Sequence, residues 1–295
     1  MSTHREPSSY LLRRLDEYMS NDTQTNSTID RYALLKDGVL VDTATDAKAL
    51  QELIRLLRPR QINHPLIRIG GDADGGYLVP DNLGGISACF SPGVSDLAKF
   101  EEELWGRYQI PSHLADYSVN EPPSYLNYKS FEKKFLGSLR SDQFITLDDW
   151  VSRHETGPTS FDLILQMDIE GGEYETLLAT SINTLKRFRF MVIEFHCAED
   201  YAQRNYFNLV RATFKKLLAT FVPVHIHPNN CCGTVNVSGV RFPRVFEMTF
   251  SRRDSCVEGD FCSEFPHPLD RANLPHLDDL VLPNEWIAAD QAASG

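Results

Sequence analysis

Two apolar runs, FDLILQMD (161–168) and FRFMVIEFHC (188–197), flank a single helical stretch, GGEYETLLATSINTL (171–185). This arrangement constrains the fold more than any other part of the chain. A strand that reads apolar at nearly every position is buried on both faces, as strands of a parallel sheet are. A parallel partner requires a crossover connection, and the helix between the two runs supplies it. Similar runs recur on both sides. GGYLV and GISACFS flank the turn PDNLG, and SDLAKFEEELWGRY follows as a helix with Ser95 as its cap. PSHLADYS reads as a short strand ending at Asp116, and FEKKFLG as a further strand. ITLDDWVSRH opens a helix at Thr146, with Asp149 placed for a capping box. YFNLVRATFKKLLATF is amphipathic, and FVPVHIHPNNCCG and PRVFEMTFSRR form an antiparallel pair joined by a turn. The expected class is α/β, a mostly parallel sheet covered by helices and closed by a C-terminal antiparallel hairpin.

Three regions follow. Residues 1–60 read as a helical N-terminal extension, with SYLLRRLDEYM and DAKALQELIRLLR as its helices. Residues 61–254 carry the sheet, and the Pro- and Asp-rich stretch 255–295 wraps the surface. With 295 residues and 42% hydrophobic content, the chain can bury a large core. Its net charge of -12 argues against a nucleic-acid backbone or an anionic membrane as partner. The sequence has no run long enough to span a membrane and no apolar leader at its start, so a cytoplasmic protein with free thiols is expected. A homo-oligomer is compatible with all of this.

Ligands of open α/β sheets bind beyond the carboxyl ends of the strands, so the strand ends are where chemistry is sought. SPGVSD (91–96) offers a glycine turn before a helix. Asp116, some 20 residues further on, is placed to accept hydrogen bonds from ribose hydroxyls. The third strand end packs Asp168, Glu170, Glu173 and Glu175 into eight positions. Glu173 and Glu175 suit the positive end of the following helix. Asp168 and Glu170 are left over, and an ionised Asp168 at the end of an apolar strand is costly unless something binds it. Glu194 and His196 follow on the next strand, two apart, and His225 and His227 on another. Asp168, Glu170, Glu194, His196, His225 and His227 supply general-base candidates and equally a divalent-cation set. A glycine-rich loop, RIGGDADGGYLVP, adds Asp74 and Tyr77.

Taken together, these stretches resemble the FkbM-type methyltransferases. LILQMDIEGGEYETLL resembles that family's D-x-E-G-x-E signature, FMVIEFH its next strand, and FITLDDWV the segment upstream. DGGYLV followed by FSPGVSDLAKFEEEL resembles the opening of a related branch. The resemblance covers roughly residues 66–252. It implies a Rossmann-like fold with a seven-stranded sheet, S-adenosyl-L-methionine as cofactor, and O-methylation of a hydroxyl on a saccharide or small polar natural product. It further implies that Ser91, Pro92, Gly93 and Val94 cradle the methionine end, that Asp116 holds the ribose, and that Phe144 and Ile145 neighbour the adenine. Asp168 would face the sulfonium. His196 or Asp168 is then the expected base, oriented by Glu170 or Glu194. Asp74, Tyr77, His225 and His227 are the expected acceptor-side residues. A divalent cation, if used, would sit on Asp168, Glu194 and His196. One departure stands out: where the family's first motif begins D-x-G-A-N-x-G, this chain has Ser91 in place of the aspartate. The alternatives are a metal-dependent hydrolase or lyase built on the same acids and histidines, and a catalytically silent interaction protein.

Overall fold

The computed structural model describes residues 42–94, 98–154 and 162–287. From Thr43 onward they belong to one compact unit. The expected first helix, SYLLRRLDEYM, and the Ser95 cap lie outside the described residues. In chain order the unit opens with α1 (Ala47–Leu57), β1 (Arg60–Ile62), β2 (Leu66–Ile69), β3 (Tyr77–Pro80), β4 (Ile86–Pro92) and α2 (Lys99–Tyr108). It continues with β5 (Ser112–Ala115), β6 (Ser130–Glu132), β7 (Phe135–Leu136), β8 (Phe144–Ile145), α3 (Leu147–His154), β9 (Asp162–Met167), α4 (Glu173–Ala179) and α5 (Ile182–Leu185). It ends with β10 (Phe188–Phe195), α6 (Arg204–Leu218), β11 (Phe221–Pro228), β12 (Thr234–Val237), β13 (Val240–Pro243), β14 (Phe246–Arg252), β15 (Glu258–Phe261) and α7 (Asn284–Ile287).

Seven strands form one sheet in the order β11-β14-β10-β9-β4-β5-β6. The pairs from β6 to β10 are all parallel. β14 runs antiparallel to both β10 and β11. This is the mostly parallel, Rossmann-like α/β sheet that the strand–helix alternation requires. The closing pair differs in one respect from the expected simple hairpin, because the β12–β13 ribbon is inserted between β11 and β14.

The apolar strands are explained by what lies on each face. Leu163, Leu165 and Met167 of β9 join one core with Trp150 of α3, the Phe207, Val210, Phe214 and Leu217 stripe of α6, and Leu50, Leu53, Ile54 and Leu57 of α1. Ile164, between them in sequence, joins the other core with Phe100 and Leu104 of α2 and with Ile69, Tyr77 and Val79 of the β2–β3 ribbon. Side chains alternate across a strand, so β9 is apolar on both faces at 163–165 and again at Met167. The stretch from 255, expected on the surface, ties into the fold: β15 pairs antiparallel with β1, Trp286 is fully buried in the main core, and residues between them bond to the sheet. Cys231 and Cys232 form a vicinal disulfide, against the expectation of free thiols. Among the described residues no helix is long and apolar enough to cross a membrane.

This topology places a crevice. After β4 the chain adds β5 and β6 on one side, then returns to lay β9 on the other. The crossovers leaving β4 and β9 therefore run to opposite sides, α2 joining one core and α4 the other, which opens a crevice at the carboxyl edge.

Candidate active site

The turn after β4 is fixed by a close approach. Gly93 has φ 87°, and a Cβ there would fall 1.5 Å from the carbonyl oxygen of Asp168. Only glycine fits against the β9 turn at this point. The β9 turn itself passes through positive φ at Glu170 (56°) and Gly171 (109°) before α4 begins. A non-glycine residue in this region is uncommon and is held by its surroundings.

A cavity of ≈ 590 Å³ opens between the two turns, and Gly93, Asp116, Phe135, Phe144, Asp168 and Glu170 line it. Asp116 stands just beyond β5. Its Oδ1 accepts hydrogen bonds from Ser118 N–H (2.7 Å) and Ser118 Oγ (2.6 Å), and its own N–H donates to Glu132 O (3.1 Å). Phe135 and Phe144 follow along the wall with ring centroids 5.5 Å apart, and Tyr117 continues the series 5.3 Å from Phe135. Ile145 is buried in the main core behind this wall. Pro92 pairs with Ala115 in the β4–β5 ladder, and Val94 lines a smaller adjoining chamber.

Asp168 and Glu170 also line the cavity, and His196 and Glu173 stand behind them. Glu173 is not the solvated helix-start acid that the sequence implies. It is 0% exposed, and its Oε1 accepts from Gly171 N–H (3.0 Å) and pairs with His196 Nδ1 (3.0 Å). That contact puts a proton on Nδ1 and leaves Nε2 toward Asp168 and Glu170, which line the cavity. Nε2 lies 3.8 Å from Asp168 Oδ1 and 3.7 Å from Glu170 Oε2. Burial disfavours the charged ring, but the Glu173 hydrogen bond and the surrounding carboxylates outweigh it and raise the His196 pKa. Asp168 is pushed up to about 7. Burial is the largest cause, opposed by His196 and reinforced by Glu170, Glu173 and Asp74. Its Oδ1 is buried without a hydrogen-bond partner.

The remaining predicted residues fall elsewhere. β10 ends at Phe195, so the strand alternation expected to align Glu194 with His196 stops between them. Glu194 faces Asp74 and Glu247, the three carboxylates lying within 4.8 Å of one another. Asn229 Nδ2 donates to Glu194 Oε1 (2.7 Å), and Asn273 Nδ2 donates to Asp74 (3.1 Å) and Glu247 (2.5 Å). Burial, then the charges of Asp168 and Glu247, push Glu194 well above the carboxylate range. His225 and His227 belong to β11 at the sheet edge, three strands from β9. His225 pairs with Asp270 at 2.9 Å, and His227 lies between Glu247 (3.7 Å) and Asp279 (3.4 Å). Burial opposes the His227 charge, yet Glu247 raises its pKa to about 9. Neither histidine lines the crevice. The expected cation set therefore changes: the group that comes together is Asp168, Glu170 and His196, with ligand atoms within 4.8 Å, and Glu194 belongs to the other cluster. Two carboxylates and an imidazole suit a divalent cation. Asp74 and Tyr77 line the smaller chamber, together with Glu101 and Gln166. Nothing local in FEEEL singles out Glu101, nor does anything in FEKKFLG single out Phe135.

A family model described as the methyltransferase FkbM domain matches residues 93–220. No curated protein matches the chain. The matched segment begins at the Gly93 turn, contains Asp116, Asp168, Glu173 and His196, and ends just past α6. Residues 93–220 thus match the methyltransferase FkbM domain, which supports a methyltransferase role.

Proposed function

We propose that the chain transfers a methyl group from S-adenosyl-L-methionine to a hydroxyl of a saccharide or small polar natural product. One observation carries the reading. A cavity at the sheet's switch point is lined by Asp116, Phe135, Phe144 and Asp168, and His196 and Glu173 continue from Asp168 behind its wall. The residues fit the cofactor's parts. Asp116 would take the ribose hydroxyls, Phe135 and Phe144 the adenine face, and the orphaned Asp168 Oδ1 the positive sulfonium. When bound, the cofactor supplies an electrophilic methyl carbon.

The protein's part is alignment and proton removal. His196, held through Nδ1 by Glu173, presents Nε2 to the acceptor hydroxyl and accepts its proton. Glu173 and Asp168 stabilise the resulting imidazolium, and Glu170 at the cavity rim orients the acceptor. A divalent cation on Asp168, Glu170 and His196 would act on the same oxygen by lowering its pKa. A metal-dependent hydrolase or lyase would use that cluster too, and turnover in the absence of S-adenosyl-L-methionine distinguishes it. Titration calorimetry with S-adenosylhomocysteine tests the main reading. Binding in the range of about 1–100 µM is expected, a free energy near −6 to −8 kcal/mol. No heat from cooperatively folded protein overturns it. An acceptor screen with labelled S-adenosyl-L-methionine then identifies the hydroxyl.

A further inference from the structure

The chain lacks the acid that opens its family's first motif, and Ser91 stands there instead. Ser91 is fully buried, and its Oγ lies 2.5 Å from Glu101 Oε1 and 2.7 Å from Gln166 Oε1. Glu101 is the first of three consecutive glutamates in α2. It is 3% exposed, whereas Glu102 next to it is exposed. Burying a carboxylate is costly, so an inward glutamate calls for a partner. While Glu101 is ionised, the serine has one proton to give and two acceptors in reach, so it cannot satisfy both.

These groups surround a chamber of ≈ 70 Å³, with Asp74, Tyr77, Ser91, Glu101 and Gln166 in its walls and Lys99 at its rim. The volume holds a few water molecules, the scale of an α-amino-acid head. Asp74, Gly93 and Asp168 line both this chamber and the large cavity, so the two adjoin. We propose that Glu101 replaces the missing motif aspartate in space, binding the ammonium of the cofactor's amino-acid head inside this chamber while Lys99 faces its carboxylate. The inference rests on S-adenosyl-L-methionine being the cofactor.

Calorimetry on the full chain tests it. Glu101→Gln should weaken S-adenosylhomocysteine binding by about tenfold or more, the worth of a buried charge-assisted hydrogen bond. Binding of 5′-methylthioadenosine, which has no amino-acid head, should change by less than about twofold, and Ser91→Asp added to Glu101→Gln should recover most of the loss. In the unmodified protein, decarboxylated S-adenosylhomocysteine should bind more tightly than the deaminated compound by a similar factor. Equal losses for both ligands, no loss, or the reverse order of the two head-group analogues overturns the assignment of Glu101. If Glu101→Gln does not unfold cooperatively, the two analogues on the unmodified protein decide alone. If the unmodified protein binds neither S-adenosylhomocysteine nor 5′-methylthioadenosine, the cofactor reading itself falls.

Discussion

β9 begins and ends near an aspartate, and the two ends could hardly differ more. At the start, Asp162 receives Arg189 Nε at 2.6 Å and Arg252 Nη1 at 2.7 Å, one on each oxygen. Burial works against its ionisation, but the two guanidinium groups outweigh burial and lower its pKa. At the far end, Asp168 meets Glu170, Glu173 and Asp74, keeps one oxygen unpartnered, and is pushed up to about 7. The same residue type on one strand is therefore satisfied at the amino edge of the sheet and left unsatisfied at the carboxyl edge. Satisfied charges hold a fold together. Unsatisfied ones mark where a ligand's charge is expected.

The comparison can be broken in four ways, taken in order of effect. Asp168→Asn should lower methyl transfer by about 10³-fold while leaving the protein folded. The same change should stabilise the fold by roughly 1–2 kcal/mol at pH 8, a figure discounted because part of the side chain reaches water. The sign follows from the raised pKa. Folded Asp168 resists ionisation, so its cost is absent below the unfolded pKa of about 3.9 and fully present above about 7. Urea denaturation across that window measures the difference, and a destabilised Asp168→Asn at pH 8 would contradict the reading.

Asp162→Asn should do the reverse. It should cost about 2–4 kcal/mol of stability at pH 7, because two half-buried arginines lose their partner, and leave turnover per folded molecule unchanged. A lowered carboxylate pKa gives stability that is present above the unfolded pKa and lost as pH falls through the folded one. The Asp162→Asn protein should therefore lose less stability than the parent between pH 4 and the acid limit.

Glu173→Gln removes the charge that raises the His196 pKa. Turnover near neutral pH should fall by about 10–100-fold, and the alkaline-rising limb of the rate profile should move to lower pH. An unmoved limb with normal cofactor binding would take His196 out of the base role. Phe144→Ala is the mildest test. It should weaken S-adenosylhomocysteine binding by about fivefold, roughly 1 kcal/mol of lost aromatic contact, with the melting temperature nearly unchanged.

Several partial agreements show where local signals stop. Thr146 caps α3 as its sequence implies, with Asp149 N–H donating to Thr146 Oγ1 at 3.2 Å. The Asp149 carboxylate, expected to complete the box, goes instead to Arg140 at 2.5 Å. Arg140 lies on a neighbouring loop, so a reading three residues wide could not foresee it. Glu173 and Glu101 fail the local reading for the same reason. Each lies in the first turn of a helix, where an acid is expected to be solvated, and each is buried by segments distant in sequence. His225 and His227 err the other way. Their spacing resembles a catalytic pair, but the carboxyl groups of Asp270, Glu247 and Asp279 claim them at the sheet edge.

The sequence alone determined the α/β class, the mostly parallel sheet, and the two strand ends at Gly93 and Asp168 where chemistry was sought. These follow from patterns within single elements: a strand buried on both faces must read apolar, and a βα turn that touches its neighbour needs glycine. Which acids are held and which are left wanting was decided only by the tertiary structure. A carboxylate's state depends on the burial and the partners it acquires, and for Asp162, Asp168, Glu173 and Glu101 many of those come from elements far along the chain.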